Sequence, residues 1–494
     1  MSHHHGRRAR RGPSLLAGSA LAFFALLGLG ALVTGCQVTN SNYCCSNAAS
    51  CGDGNAVSAC ADPARPYCDD SGAYGPSHTC IADPQATDCG GPDDCTAERP
   101  FCTDGTCVQC EGNDDCDDAT PVCGDAHLCT VCGGDDDCTG RVGATRCLLD
   151  TGACVACLAA TDCVDATSPV CDEDSHACRG CAADSECDSQ VCNTGTGACV
   201  DEADVIYLSA SGQGSGTCTR GAPCNTFALG LAQVTGGRNV IKAAPGSYTG
   251  AITIDGLTVS ILADGATVQP SPSTVPVLTI SNGADVTLEG ITLTGVIGSG
   301  LTVAASCSQS TLTMHRSTLI ANTGGGGLLI TGCEFSLVNN VIALNGGLTS
   351  TFGGMRITDI TTVGTHELRF NTITANGSVS NTVSGVECTS IATPLVFENN
   401  IVYANVVQGS GTQIGDDADC SWRYSDIGPQ TVAGTGNINA DPLFVDPATR
   451  DFHLMAGSPA QDVADPAATD TVDIDGDARP QGDRADMGAD EITP

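Results

Sequence analysis

The stretch GLLITGCEFSLVNNVIALN, residues 327–345, holds the features that decide the fold of this chain. It opens with Gly327-Leu328-Leu329-Ile330, in which glycine is followed by apolar, variable and apolar residues. Alternating apolar residues are typical of a short strand with one buried face. Asn340 and Asn345 follow at polar bends. The stretch therefore predicts short strands separated by turns that contain asparagine.

Both features recur along the chain. The glycine pattern occurs at residues 300–303, 327–330, 354–357 and 385–388, in steps of 27, 27 and 31 residues. The bends recur as Ser317, Asn340, Asn371 and Asn400, and five residues later as Asn322, Asn345, Asn376 and Asn405. Asparagine tolerates left-handed backbone, and its amide can bond to its neighbours. The repeat predicts stacked turns whose amides pair from coil to coil.

A repeat of this length, built of short strands and turns without helices, predicts a coil of strands that stacks on itself. Each coil is expected to pair in parallel with the next at roughly 4.8 Å. The predicted fold class is therefore all-β: a right-handed parallel β-helix over residues 203–494, preceded by a small disulfide-rich repeat region.

The β-helix region resembles the pectate-lyase-like superfamily at both ends. The entry and first-coil matches are Val205-Ile206-Tyr207-Leu208-Ser209, Ala222-Pro223-Cys224-Asn225-Thr226-Phe227 and Val240 to Tyr248. The exit matches are Asp441 to Phe444, Asp451 to Leu454, Gly457 to Ala460, Asp475-Gly476 with Arg479-Pro480, and Asp486 to Ala489. The resemblance implies a capping helix from Thr226 to Val234 and a cap at the C-terminus.

Cysteines mark a separate region at residues 44–200, which holds 26 of the 33 in the chain. From Cys89 onward a unit of four cysteines recurs five times, with an acid before each second cysteine. Cys51, Cys60, Cys68 and Cys80 form a divergent first copy, with Cys44 and Cys45 as an additional pair. Copies this short cannot bury a useful core without cross-links. We predict disulfides, and three pairings are open for each unit.

Zinc is the alternative for these cysteines, because four thiolates at similar spacing can bind it. The Cys-x-x-Cys pairs straddle the repeat boundaries, and an exported thiol meets oxidant before metal. Disulfides are therefore the preferred interpretation. The region resembles the cysteine-rich repeats of bacterial surface lipoproteins, which implies a stalk or an interaction module.

Six later cysteines form plausible pairs. Cys218 with Cys224 would close the entry loop, and Cys307 with Cys333 lie about one coil apart. Cys388 with Cys420 is the remaining pair. The alternative for Cys388 is a buried free thiol.

The N-terminus is typical of a bacterial export signal. Residues 1–35 combine an arginine-rich start with an apolar run from Leu15 to Val33. The run ends in Val33-Thr34-Gly35-Cys36, which resembles a lipobox. We predict cleavage before Cys36, lipidation of its thiol, a tether at 36–43, and anchoring in the outer membrane or at the cell surface. An uncleaved membrane-spanning helix is the alternative.

The composition is strongly acidic, with 57 Asp and Glu against 19 Lys and Arg and a net charge of −38. Such a surface repels phosphate backbones, which excludes nucleic acid as an expected partner. Runs such as Asp135-Asp136-Asp137 could attract calcium, the one possible cofactor, but a solvated acidic face explains them equally. We assign no metal site and predict no other cofactor.

Catalytic motifs of the resembled superfamily are missing. Asp416-Asp417 lacks the Gly-His-Gly and Arg-Ile-Lys companions of polygalacturonases, and the single lysine, Lys242, lies in the first-coil match. The arginines that could approach one face are Arg316, Arg356, Arg369 and Arg423, and the histidines His315, His366 and His453 are isolated. A non-catalytic protein is therefore favoured over a polysaccharide lyase or glycoside hydrolase acting on acidic polysaccharide.

One cluster combines aromatic rings for sugar stacking with charges that could orient a ligand. The candidate ligand-binding residues are Asp416, Asp417, Asp419, Trp422, Arg423 and Tyr424. A structural role is the alternative, because Tyr424 to Ile427 aligns with Glu398 to Ile401 one coil earlier. Asp473-Ile474-Asp475-Gly476-Asp477 resembles a calcium loop, but Arg484 occupies the position of the bidentate glutamate, so we predict a cap held by Asp and Arg pairs.

The sequence thus predicts a surface lipoprotein that presents a β-helix to a polysaccharide or a surface protein. The alternatives are the lyase or hydrolase and a structural spacer of the envelope. The oligomeric state is not predicted.

Overall fold

The computed structural model describes residues 67–69, 79–81, 89, 95–117, 120–298, 302–361, 364–379, 382–407, 412–415 and 418–493. They fall into two compact units. The first runs to Val142 and includes Cys147–Cys154, and the second holds Gly143–Arg146 and the chain from Val155 onward. The predicted signal peptide, Cys36, the tether, and Cys44, Cys45, Cys51 and Cys60 lie outside the described residues.

The cysteine repeats from Cys110 onward share one local structure, a 3-10 helix followed by an antiparallel hairpin. Their 3-10 helices are Asn113–Asp115, Asp135–Cys138, Ala160–Asp162 and Asp184–Glu186, and a further one is Glu202–Asp204. The hairpins of the whole region are Tyr67–Asp69 with Thr79–Ile81, Phe101–Thr103 with Thr106–Val108, Val122–Cys123 with Cys129–Thr130, Arg146–Leu148 with Ala153–Val155, Val170–Cys171 with Cys178–Arg179, and Cys192–Asn193 with Ala198–Cys199.

The predicted disulfides from Cys89 to Cys199 are present, and one pairing is used throughout these five repeats. The first cysteine of each repeat bonds to the third, and the second bonds to the fourth. The pairs are Cys89–Cys102, Cys95–Cys107, Cys110–Cys123, Cys116–Cys129, Cys132–Cys147, Cys138–Cys154, Cys157–Cys171, Cys163–Cys178, Cys181–Cys192 and Cys187–Cys199. The third and fourth cysteines lie opposite each other across the hairpin, so each hairpin is tied at both strands to the preceding turn.

The acid before the second cysteine has a structural role in these repeats. Asp115 Oδ2 accepts hydrogen bonds from the backbone N–H groups of Glu111 and Gly112, at 2.8 and 2.9 Å. Glu186 Oε2 does the same for Ala182 and Ala183. These carboxylates satisfy the free N–H groups at the start of each 3-10 helix. The recurrence of the acid is explained by this capping.

The chain from Val205 onward forms a parallel β-solenoid with three stacks of strands, as predicted. Stack A consists of Val205–Gln213, Val240–Ala243, the first halves of Thr258–Gln269 and Asp285–Thr294, Thr311–His315, Glu334–Val338, His366–Arg369, Leu395–Glu398 and Cys420–Arg423. Stack B consists of Gly246–Thr249, the second halves of the same two long strands, Thr318–Ile320, Val341–Ala343, Thr372–Thr374, Ile401–Tyr403 and Asp426–Gly428. Stack C consists of Ile252–Asp255, Leu278–Ser281, Ala305–Ser308, Leu328–Thr331, Met355–Thr358, Val383–Thr389 and Thr412–Ile414.

Alternation of side chains fills the interior of the solenoid. In stack C, Leu328 pairs with Met355 and Met355 pairs with Val386, and all three side chains are buried. The apolar positions of stacks A and B join the same core cluster. Burying one such side chain contributes roughly 1.5–3 kcal/mol, so the continuous core provides most of the driving force for stacking.

Two ladders of polar side chains run along the corners of the solenoid. Asn340, Asn371 and Asn400 form the first ladder, in which each Nδ2 donates to the next Oδ1 at 2.9 and 3.0 Å. Ser317 and Ser425 extend it at its two ends. Asn322, Asn345, Asn376 and Asn405 form the second ladder, which ends at Gln413. The predicted pairing of amides from coil to coil is confirmed.

The left-handed residue at each corner is not the ladder asparagine but the residue before it. Leu344, with φ 58°, precedes Asn345, and Phe370, with φ 54°, precedes Asn371. The backbone turns at this residue, and the ladder side chain then points inward to bond the coils above and below. The sequence analysis assigned both roles to asparagine, whereas the structure divides them between two neighbours.

Two other sequence assignments differ from the structure. Residues 300–303 were expected to form the strand that pairs with Leu328, but Thr302 and Val303 are not in a strand, and Leu328 pairs with Ala305. The register is set by Ala305 and Cys307, which are buried in the core. The capping helix is shorter than expected, Phe227–Leu231, with Thr226 Oγ1 accepting from the Leu229 N–H.

The later disulfides and the C-terminal cap agree with the predictions. Cys218–Cys224, Cys307–Cys333 and Cys388–Cys420 are all bonded. The cap includes the antiparallel strands Phe444–Asp446 and Asp451–Leu454, and a small parallel pair, Gly377–Ser378 with Val406–Val407, lies beside stack B. Arg479 is fully buried in the cap, 3.1 Å from Glu491 and stacked on the Phe370 ring.

Among the described residues, none of the helices has the length and hydrophobicity of a membrane-spanning segment.

Candidate functional site

The described members of the predicted ligand-binding cluster have different surroundings. Trp422 is 3% exposed and packs edge-on against Phe397 in the core, so its ring offers no face to a sugar. Tyr424 packs against the cap, and Arg423 is paired with Glu398. Asp419 is partly exposed beside these residues.

Asp416 and Asp417 lie outside the described residues. Ligand binding at this cluster stays a prediction, which the burial of Trp422 does not favour.

A different set of charged side chains lies in one row on the outer face of stack A. One outward-facing residue near the end of each stack A segment is in register with its counterpart in the next coil, and we call these residues the rim row. They are Tyr207, Lys242, Leu262, Glu289, His315, Val338, Arg369, Glu398 and Arg423. The row stands immediately before the corner of each coil, where neighbouring strands are roughly 4.8 Å apart.

The last cysteine repeat, Cys181–Cys199, packs against the first part of this row. Val191 of the repeat is buried together with Tyr207 and Leu262. The Tyr207 hydroxyl donates to the carbonyl oxygen of Ser189 at 2.7 Å, and Lys242 Nζ lies 2.7 Å from Asp184 Oδ2. This repeat forms one wall of a cleft above the rim row.

The cap forms the opposite wall. Arg369 of the rim row forms an ion pair with Asp470, and Asn339 Nδ2 donates to the carbonyl oxygen of Val472 at 2.8 Å. Asp475 and Gly476 complete the wall. Lys242, Glu289, His315 and Arg369 therefore lie on the floor of a cleft whose walls come from both ends of the second unit.

The cleft has a volume of about 780 Å³ and is lined by polar and apolar surface in nearly equal shares. Arg316 Nη2 donates to Glu289 Oε1 at 2.7 Å and to Thr194 Oγ1 at 3.1 Å, which joins the floor to the repeat wall. All three cations of the lining, Lys242, Arg316 and Arg369, are thus held by carboxylates. Fixed pairs of this kind offer both donors and acceptors to a ligand.

His315 occupies the centre of the floor. Burial lowers the pKa of its imidazole, which keeps the ring neutral at neutral pH. Its Nε2 atom is buried and has no hydrogen-bond partner among the described residues. The sequence analysis treated His315 as isolated, and the fold brings it between Glu289 and Val338 in the rim row.

His453 lies in a smaller recess of about 250 Å³ that shares Asp264, Arg316 and Asp475 with the cleft. Its two ring nitrogens lie 2.8 Å from Asp475 and 2.6 Å from Asp451. The hydrogen bond to Asp475 is the main cause that raises the pKa of His453 to about 10. The ring is therefore a fixed cation and not a free base.

The four arginines singled out from the sequence have different surroundings. Arg316 and Arg369 line the cleft, and Arg423 lies farther along the rim row. Arg356 is on stack C, where it pairs with Glu387 and lies over the Phe352 ring.

Sequence reasoning did not find the cleft itself. A signal was present, since the ionisable residues His315, Arg369 and Arg423 each stand two positions before a ladder residue. That offset has meaning only when the register is known.

Known structures resemble this chain in fold only. The solved structure of the pectate lyase Pel9A shares 16% identity with this chain, with a TM-score of 0.28, and the match covers 58% of this chain and 96% of the lyase. A pectin methylesterase in complex with a hexasaccharide shares 13% identity, with a TM-score of 0.24, over 46% of this chain and 90% of the esterase. No protein family model matches the chain. A search of curated proteins also gave no match.

Proposed function

We propose that the protein is exported, is anchored through Cys36, and binds a glycan in the cleft without processing it. The observation that supports this most is the set of fixed ion pairs on the cleft floor. Sugar hydroxyls both donate and accept hydrogen bonds, and a carboxylate beside a guanidinium satisfies both. The cleft also has the size of known ligand sites, roughly 300–1,000 Å³.

The cations of the cleft are already paired with carboxylates of the protein, which favours ligand binding over catalysis. A lyase needs a base to remove a proton beside a carboxylate and cations to neutralise that carboxylate. Lys242 is bound to Asp184, and Arg316 and Arg369 are bound to Glu289 and Asp470. A substrate carboxylate would have to displace an acid of the protein itself. The ten disulfides between Cys89 and Cys199 support the extracytoplasmic location.

Blocking the cleft tests the proposal. Gly195 is exposed on the repeat wall, and a Cβ added there would meet only Asn193 Oδ1, at 3.4 Å. Gly195→Trp should fill the cleft without disturbing the fold and should weaken retention on immobilised glycans at least about tenfold, or about 1.4 kcal/mol. Gly214→Trp is the matched control, because Gly214 is exposed and a Cβ there meets nothing within 4 Å.

Glycan retention that is equal for both variants would place binding elsewhere and refute the proposed site. Retention of none of the glycans would leave the β-helix without a ligand and would favour the spacer. The anchor is tested separately, since Cys36→Ala should move the protein from the membrane fraction to the soluble fraction.

A polysaccharide lyase or hydrolase remains the second candidate, because neutral His315 has an unpartnered nitrogen and lies in the same cleft as Arg316 and Arg369. Incubation with acidic polysaccharide, followed by measurement of unsaturated products and reducing ends, distinguishes it from binding. Release of either product by the native protein, with loss in His315→Ala, would establish catalysis.

A further inference from the structure

The cleft carries more carboxylates than cations. Its charged lining consists of Asp184, Asp264, Glu289, Asp470 and Asp475 against Lys242, Arg316 and Arg369. His315 adds no positive charge, because burial lowers the pKa of the ring. The three cations are each engaged by a carboxylate, and Asp475 is paired with His453, so the excess negative charge that the cleft presents lies on Asp264.

Asp264 is the clearest source of this excess. It lies at the corner between the two halves of strand Thr258–Gln269, where the register to the next strand shifts between Leu262 and Ala266. Gly265 follows with φ 74° and allows the chain to turn there. The Asp264 side chain is exposed and has no ion pair or hydrogen bond among the described residues.

The backbone of the next coil supports this corner. A Cβ at Gly290 would lie 2.8 Å from the Asp264 Cα, so Gly290 leaves the space that the corner fills. Asp264 lines both the cleft and the adjoining recess, and so does Asp475, whose side chain is half exposed. An unpaired carboxylate therefore stands where the two cavities meet.

We propose that the ligand of the cleft is a glycan that carries protonated amines, that is, an amino-sugar oligomer. This inference rests on the proposed glycan binding and specifies its ligand class. An ammonium group can pair with Asp264 while neighbouring hydroxyls bond to the fixed ion pairs. A polyuronate would meet the uncompensated carboxylate of Asp264 and be repelled.

The test compares three oligomers of equal length by calorimetric titration at about pH 6, which lies above the ordinary pKa of an aspartate in a model peptide. They are a glucosamine tetramer, its fully N-acetylated form, which lacks the charge, and a galacturonate tetramer. We expect the amine form to bind at least about tenfold more tightly than the N-acetylated form, or about 1.4 kcal/mol. The difference should shrink as salt is added.

Two variants distinguish binding of the amine in the cleft from its non-specific attraction to a chain with a net charge of −38. Asp264→Asn should reduce the preference for the amine form several-fold. Asp285→Asn makes the same charge change at an exposed position of stack A that does not line the cleft, and should leave the preference unchanged.

The outcomes distinguish the two proposals. Equal binding of the amine and N-acetylated forms, tighter binding of the galacturonate, or equal effects of Asp264→Asn and Asp285→Asn would overturn the amine preference. Glycan binding in the cleft would still stand if Gly195→Trp abolished it. Failure of all three oligomers to bind would refute both proposals.

Discussion

At the residue scale, Asp426 is the most unusual carboxyl group of the solenoid. It lies in the last strand of stack B and is fully buried. Oδ1 accepts a hydrogen bond from the Ala440 N–H at 3.1 Å, and Oδ2 has no partner among the described residues. Burial raises the pKa of Asp426 to about 7, and the nearby charge of Asp441 acts in the same direction.

This pKa makes stability depend on pH. The folded protein holds the Asp426 proton more tightly than the unfolded chain, whose aspartate pKa is about 3.9. The stabilisation is complete below about pH 4 and is lost as the pH rises through about 7. Asp426→Asn should therefore flatten the fall in the free energy of unfolding between about pH 4 and 7, and stabilise the protein above this range by roughly 1–3 kcal/mol.

Urea unfolding at several pH values measures this effect. Asp441→Asn is the control, since Asp441 is exposed and its removal should change the profile only slightly. A variant Asp426→Asn that is destabilised equally at every pH would show that the carboxyl is not the titrating group.

At the scale of elements, the asparagine ladders replace the hydrogen bonds that the backbone loses at each corner. Asn371 shows how one side chain does this. It accepts from the N–H and the Nδ2 of Asn340 at 3.0 and 2.9 Å, and it donates to the carbonyl oxygen of Leu337 at 2.8 Å. Three coils are connected through one buried amide, because Asn371 also donates to Asn400.

Removal of this amide should therefore be costly. Asn371→Ala leaves the bonded groups of Asn340 and Leu337 buried without partners, each at about 1–3 kcal/mol. We expect the free energy of unfolding to fall by at least about 2 kcal/mol, as measured by chemical denaturation. Asn439→Ala is the matched control, because exposed Asn439 donates only to Thr431 Oγ1. Equal losses for the two variants would contradict the structural role of the ladder.

At the scale of the whole molecule, the last two cysteine repeats belong to the same compact unit as the solenoid. The final repeat buries Val191 against Tyr207 and Leu262, and it also provides Asp184 and Thr194 to the cleft. The sequence placed a domain boundary between residues 200 and 203, and that boundary stays a prediction. The contacts nevertheless give the final repeat a role in the solenoid beyond that of a stalk.

Truncation measures this role. A fragment of residues 203–494 exposes the Tyr207 and Leu262 side chains and lacks one wall of the cleft. It should unfold at a lower temperature than a fragment of residues 155–494, bind more of a hydrophobic dye, and lose the glycan. Identical melting temperatures for the two fragments would show that the repeat does not stabilise the solenoid.

The sequence by itself determined the architecture, because local patterns repeat in it. The alternation around Leu328 and Met355 predicted strands, the recurring Asn340 and Asn371 predicted ladders, and the spacing of the cysteines predicted cross-linked repeats. Each pattern is short-range and is imposed again in every coil or repeat. The strand expected at residues 300–303 does not include Thr302 and Val303, because Ala305 and Cys307 are the buried side chains that set the register.

The tertiary structure alone decided where a ligand could bind. Lys242, His315 and Arg369 are far apart in the chain, and only the stacking of coils places them in one row. The walls of the cleft come from Asp184 in the last repeat and Asp475 in the cap, at opposite ends of the unit. Charge pairing between residues so far apart in the chain depends on strand register and on packing, and no local sequence pattern encodes either. The strands, ladders and disulfides, in contrast, depend on patterns that repeat over short stretches of the sequence.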